Sequence, residues 1–217
     1  MKYNLVIFDL DGTTLNTLDD LAAACNHALA LNGFPTHNLE KIRLSIGSGI
    51  ANLIQRVLPD GTDEATHAKV LADFRAYYAD HVNDHTAPYP GVIDMLKALR
   101  AAGIRVAINS NKINSATNEL CKLHFGDLVE LALGELPDVP RKPAPDGVYR
   151  IMSTFSADKA HTLYVGDSGV DIQTAANAGV DSAWVSWGLR HRDELGDGVT
   201  VTNGFDTVEN LKSFILA

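Results

Sequence analysis

The stretch that most restricts what this chain can fold into is Leu5-Val6-Ile7-Phe8 running directly into Asp9-Leu10-Asp11-Gly12-Thr13. An apolar run with no polar face, ended by acid and glycine, reads as a parallel strand covered on both sides. Parallel strands need long crossover connections, so one such strand commits the chain to alternating strands and helices. In open α/β sheets ligands collect at the carboxyl ends of the strands, which is where Asp9 and Asp11 fall.

The same transition recurs. Ile104-Arg105-Val106-Ala107-Ile108 leads into Asn109-Ser110-Asn111-Lys112, and Leu163-Tyr164-Val165 leads into Gly166-Asp167-Ser168, with Asp171 one helical turn further on. Between them, the prolines of Arg141-Lys142-Pro143-Ala144-Pro145 forbid a regular helix through Lys142. Helical stripes at Val92/Met95/Leu96/Leu99, at Val148/Ile151/Met152/Phe155 and at Ile172/Ala175/Ala176 separate these strands, and Ala183-Trp184-Val185 reads as one more strand. The pattern predicts a Rossmann-like, doubly wound, mostly parallel sheet.

The span from Asp9 to Ser110 is far too long for one crossover. It holds three amphipathic stripes with no strand between them: Leu18 to Leu29 after a capping Thr17, Ile50 to Leu58, and Val70 to Val82. The expected organisation is an α/β core of residues 1–15 and 86–217 with a small helical cap of residues 16–85, each carrying its own apolar faces.

Composition narrows the function. At 217 residues and 46% hydrophobic content the chain can bury a substantial core, and a net charge of −9 argues against a nucleic-acid partner. Two cysteines without CxxC spacing fit a reducing, cytoplasmic setting; no secretory leader is read at the amino terminus, and no run is long enough to span a membrane.

Single residues have ordinary readings as well. Asp9 and Asp11 alone could be turn-formers, Ser110 a helix cap, Lys142 a solvated lysine and Asp171 a first-turn acid favoured by the helix dipole. A calcium loop fails for want of a third ligand before Gly12. Gly47-Ser48-Gly49 resembles a dinucleotide fingerprint but has Asn52 where the third glycine belongs, and reads better as a loop at a helix amino end. His81 and His85 have metal-compatible spacing but read as a solvated helix end, and Arg190-His191-Arg192 as a solvated basic loop.

In combination and in order, Asp9-x-Asp11-Gly12-Thr13, Ser110, Lys142 and Gly166-Asp167-Ser168 with Asp171 resemble the four signatures of the haloacid dehalogenase superfamily, most closely its phosphoglycolate-phosphatase-like branch. The resemblance spans nearly the whole chain and departs at Thr14 and Asn16, where relatives usually have Leu and Asp. It implies a magnesium-dependent phosphatase acting on small-molecule phosphate esters through an aspartyl phosphate. By this resemblance Asp9 is the nucleophile and Asp11 the acid-base group, and Mg2+ is held by Asp9, the backbone carbonyl of Asp11, and Asp167. Ser110, Asn111 and Lys142 hold the phosphoryl group. Gly47, Ser48 and Gly49 face the substrate from the cap, and Thr13 and Asp171 stand behind these residues, Asp171 orienting Lys142 or a metal-bound water. Two alternatives keep part of the pattern: a phosphomutase of the β-phosphoglucomutase type, and a phospho-accepting receiver-like signalling domain. A dehalogenase leaves Asp11 and Asp167 unexplained.

Overall fold

The computed structural model describes all 217 residues. The buried strand is β1 (Leu5–Phe8), followed by the two-residue β2 (Leu15–Asn16) and four helices, α1 (Leu18–Leu31), α2 (Leu39–Ser45), α3 (Ile50–Val57) and α4 (Glu64–Asp80). The chain returns through β3 (Ala87–Pro88) and alternates to its end. In order come α5 (Val92–Ala101), β4 (Arg105–Ile113), α6 (Asn114–His124), β5 (Leu131–Glu135), α7 (Asp146–Phe155) and β6 (Thr162–Gly166). The last elements are α8 (Gly169–Ala178), β7 (Asp181–Val185), β8 (Gly204–Phe205) and α9 (Val208–Leu216). No helix is long and apolar enough to cross a membrane.

The main sheet has six strands in the order β5-β4-β1-β6-β7-β8, all parallel. All four β1 side chains are fully buried because they feed two layers. Val6 and Phe8 join one apolar cluster, while Leu5 and Ile7 join a second with Val148, Ile151 and Tyr164. At about 1.5–3 kcal/mol per buried aliphatic side chain, a polar change in β1 costs both layers their centre. The chain leaves β1 toward β4 on one side and later returns to β6 on the other. This reversal point opens the crevice beyond the strand ends.

The insertion departs and returns through an antiparallel ladder, Leu15 with Pro88 and Asn16 with Ala87. The buried Asp20 pins the return by accepting from the backbone N–H groups of His85 and Thr86 and from the Thr86 hydroxyl. It holds four helices where three were expected. In the additional α2 the only buried aliphatic is Ile42, which leaves no periodic stripe, and Leu39 and Leu44 are exposed. Thr17 precedes α1 but makes no cap, because its hydroxyl donates to Asp11 instead. The expectation of separate apolar faces also fails: Leu21, Leu29, Ile54 and Phe74 of the insertion share one continuous cluster with Val6, Phe8 and Leu96.

Candidate active site

Asp9 is the first residue beyond β1, and its backbone N–H donates to Val165 of the neighbouring β6, so the strand register fixes where its side chain starts. Its Oδ1 accepts from the Leu10 N–H at 2.7 Å and lies 2.8 Å from Lys142 Nζ, while no protein donor reaches Oδ2. Gly12 turns the chain with φ +85°; a Cβ there would stand 2.5 Å from Asp167 Oδ2. Thr13 donates to Asp167 Oδ1 at 3.3 Å. Thr14, one of the two departures from the family pattern, is fully buried and donates to the Asp9 and Leu10 carbonyls, closing the same turn. Asn16, the other, accepts from the Leu18 N–H at the start of α1.

Lys142 is buried between two acids, with Asp9 and Asp171 oxygens each 2.8 Å from Nζ. Asn111 holds the lysine's backbone, accepting from the Lys142 N–H at 2.9 Å and donating to its carbonyl at 3.1 Å. The same amide reaches Gly47 of the insertion at 3.2 Å, joining β4, the Lys142 segment and the glycine loop. Ser110 lies buried within β4 and its Oγ accepts from the Lys112 N–H. It is not a helix cap, since β4 runs on to Ile113 before α6 begins. Asp171 is wholly buried: Oδ1 holds Lys142, and Oδ2 accepts from the Ser168 N–H and hydroxyl, capping α8.

Carboxylate oxygens of Asp9, Asp167 and Asp171 lie within 4.8 Å of one another, all buried. Burial drives the Asp9 carboxyl well above the usual range, opposed by Lys142 and reinforced by the charges of Asp171 and Asp167. Burial, then the Asp171 charge, pushes Asp167 up to about 7. An all-oxygen cluster with more negative charge than Lys142 neutralises suits a hard divalent cation. Asp171 Oδ1 takes the Lys142 ammonium and its Oδ2 takes two bonds from Ser168, whereas Asp167 accepts one bond on each oxygen and Asp9 leaves Oδ2 free, so Asp9 and Asp167 keep lone pairs for a cation. Asp11's side chain is not in this cluster, so it would serve a metal only through its backbone carbonyl, as the resemblance implied.

Asp11's Oδ1 accepts from Thr17 at 2.7 Å and from Lys112 Nζ at 2.9 Å, leaving Oδ2 without a protein partner. Nothing in the sequence marks Lys112, yet it is as buried as Lys142 and stands 4.8 Å from the centre of the Tyr78 ring of α4. Asp9, Asp11, Ser110, Lys112, Lys142 and Asp167 line a cavity of about 40 Å³ together with Gly47, Gly49, Leu189 and Arg190. Ser48 is not among the lining residues, because its hydroxyl accepts from Arg56. The basic-loop reading is corrected for Arg190, which lines the cavity, and kept for the exposed His191. His81 pairs with Asp84 beyond the end of α4 and stacks on Tyr77, while His85 is exposed, far from any metal geometry.

Paired acids after a first parallel strand, a hydroxyl on the second, a buried lysine after the third and further acids after the fourth, all beneath a helical insertion, define one class of hydrolase. The haloacid dehalogenase-like hydrolase family matches residues 6–185, and the chain belongs to it. It is 36% identical over 188 residues to a phosphoglycolate phosphatase of Thiobacillus denitrificans, covering 84% of this chain and 83% of that one. To a phosphoglycolate phosphatase of Pseudomonas syringae pv. tomato it is 32% identical over 217 residues, covering 97% and 78%. A crystal structure of a candidate phosphoglycolate phosphatase from Lactobacillus delbrueckii subsp. bulgaricus superposes with a TM-score of 0.94 at 34% identity, over the full length of both chains. The receiver-like alternative falls with this family assignment.

Proposed function

We propose that this enzyme is a magnesium-dependent, cytoplasmic phosphatase of small-metabolite phosphomonoesters, with phosphoglycolate the first substrate to test. The observation that carries the reading is the state of Asp9: one carboxylate oxygen is fixed by the Leu10 N–H and Lys142, and the other is free of protein donors. A nucleophile needs that geometry, with one oxygen held and one available.

In this reading Asp9 Oδ2 attacks phosphorus in line and an aspartyl phosphate forms. Asp11, its Oδ1 held by Lys112 and Thr17, uses Oδ2 to protonate the leaving oxygen and then takes a proton from the water that hydrolyses the intermediate. Lys142 and Ser110 balance charge on the phosphoryl oxygens. Magnesium, held by Asp9, Asp167 and the Asp11 carbonyl, supplies the charge that lets an anionic nucleophile approach an anionic ester. The insertion, residues 16–85, acts as a cap that excludes water, with Asn111 and Gly47 closing it over the site.

The test is phosphate release from a panel of monoesters, with and without magnesium, by the native enzyme and by Asp9→Asn. Release that needs magnesium and vanishes in a folded Asp9→Asn protein is expected. Turnover that survives Asp9→Asn would remove the nucleophile, and transfer to a sugar in place of water would make the enzyme a mutase.

A further inference from the structure

Every lysine that lines the cavity is already neutralised by a carboxylate: Lys112 by Asp11, and Lys142 by Asp9 and Asp171. Arg190 is not. It lines the same cavity, half-buried, with no carboxylate in ion-pair reach. Its Nη2 donates to the carbonyls of Leu44 at 2.8 Å and Ile46 at 2.6 Å, at the end of α2 where the chain enters the glycine loop. A guanidinium has five N–H bonds; with two on these carbonyls, the three on Nη1 and Nε have no protein acceptor. Arg43, on the same seam, is by contrast fully engaged, by Glu40, Glu194 and the Leu189 carbonyl.

The backbone that carries Arg190 is tied to the catalytic centre. The Leu189 N–H donates to Asp167 Oδ2 at 2.6 Å, and Gly188 packs so closely that a Cβ would stand 2.3 Å from that of Asp167. Arg190 therefore projects from a rigid point beside the acid cluster and meets the cap beside the glycine loop. Burial, opposed by the Asp167 charge and helped by the like charge of Arg43, pulls its guanidinium below the usual range.

We propose that Arg190 is a specificity-determining residue that binds the carboxylate on the leaving group. This rests on the phosphatase reading above and assigns the group that would select such a substrate. A carboxylate is preferred to a second phosphate because Arg190 is a single cation without an ion-pair partner, which matches one negative charge and not two. A free guanidinium matches a planar anion through charge-assisted hydrogen bonds.

The experiment compares kcat/KM for phosphoglycolate and for ethyl phosphate, which lacks the carboxylate, at saturating magnesium in the native enzyme, Arg190→Gln and Arg190→Lys. The native enzyme should prefer phosphoglycolate. Arg190→Gln should lose ~10- to 100-fold on phosphoglycolate, mainly through KM, and change less than ~3-fold on ethyl phosphate. Arg190→Lys should lie between, and it carries the test if the glutamine variant does not fold. Equal losses on both esters would reduce Arg190 to a brace for the Leu44 and Ile46 carbonyls and overturn the proposal. A folded variant that keeps the native preference would overturn it too, with the substrate reading intact. A native enzyme indifferent to the carboxylate would sink the substrate reading and this inference together.

Discussion

At the scale of residues, the division of labour in Asp11 leads to a test. If Oδ2 carries the proton, Asp11→Asn should cut turnover steeply for alkyl phosphates, whose leaving oxygen must be protonated, and less for an activated aryl phosphate. Equal losses on both would take Asp11 out of the acid-base role. Lys112 bears on the same group from behind. Its side chain is 1% exposed, so Lys112→Met leaves Asp11 facing an apolar wall and should cost about 3 kcal/mol of stability. Asp11→Asn should recover much of that loss in the double variant, as urea unfolding would measure; strictly additive losses would deny the coupling. Asp9, Asp11, Ser110, Lys142 and Asp167 were legible in the sequence because each follows or sits in a recognisable strand, or lies between prolines. Lys112 and Arg190 were not, because their meaning depends on partners far along the chain, Lys112 and Asp11 being 101 positions apart. A lysine or arginine in a polar stretch is ordinarily solvated.

Among the elements, what was legible followed burial period. The stripes of α1, α3, α4, α5, α7 and α8 each face a core and could be read from spacing, whereas β8 has two residues and β5 includes Gly134, too little for a period of two to register. The α9 helix did carry a signal, in Val208, Leu211 and Ile215. Contacts between elements are less visible still. The helical insertion is latched to the sheet by Arg43 of α2, which pairs with Glu194 at 2.6 Å while reaching the Leu189 carbonyl. Hydrogen bonds from Arg43 hold the Glu194 carboxyl down at about 2, below its ordinary range near 4.3. A depressed carboxyl stabilises the fold above its unfolded value and loses that contribution as pH falls through the folded one. Thermal unfolding should therefore show Glu194→Gln less stable by about 1 kcal/mol at neutral pH, the gap closing between pH ~4.5 and ~2. A gap independent of pH would mean that the latch works by shape and not by charge.

For the whole molecule, net charge −9 and a buried acid cluster act in the same direction, and a divalent cation is what reconciles them with a stable fold. Asp167 titrates near 7 when folded and near 3.9 when unfolded, so without metal the native state holds a proton that the unfolded chain has released. Stability of the metal-free protein should fall as pH rises from ~4 to ~7, the reverse of the Glu194 case, and the raised Asp9 carboxyl acts in the same direction. Magnesium replaces that proton, so its stabilising effect should grow over the same window. At a concentration 100 times its dissociation constant it should add about 2.7 kcal/mol, or roughly 5–10 °C in melting temperature for a chain of this length. Thermal unfolding in chelator and in magnesium, at a series of pH values, measures both slopes without any turnover. Asp167→Asn supplies the control, since an amide neither titrates nor repels Asp171. That variant should melt with a flatter pH dependence in chelator and gain little from magnesium. If the native protein gained nothing from magnesium at pH 8, the cluster of Asp9, Asp167 and Asp171 would not be a cation site, and the charge balance of the reaction would rest on Lys142 alone.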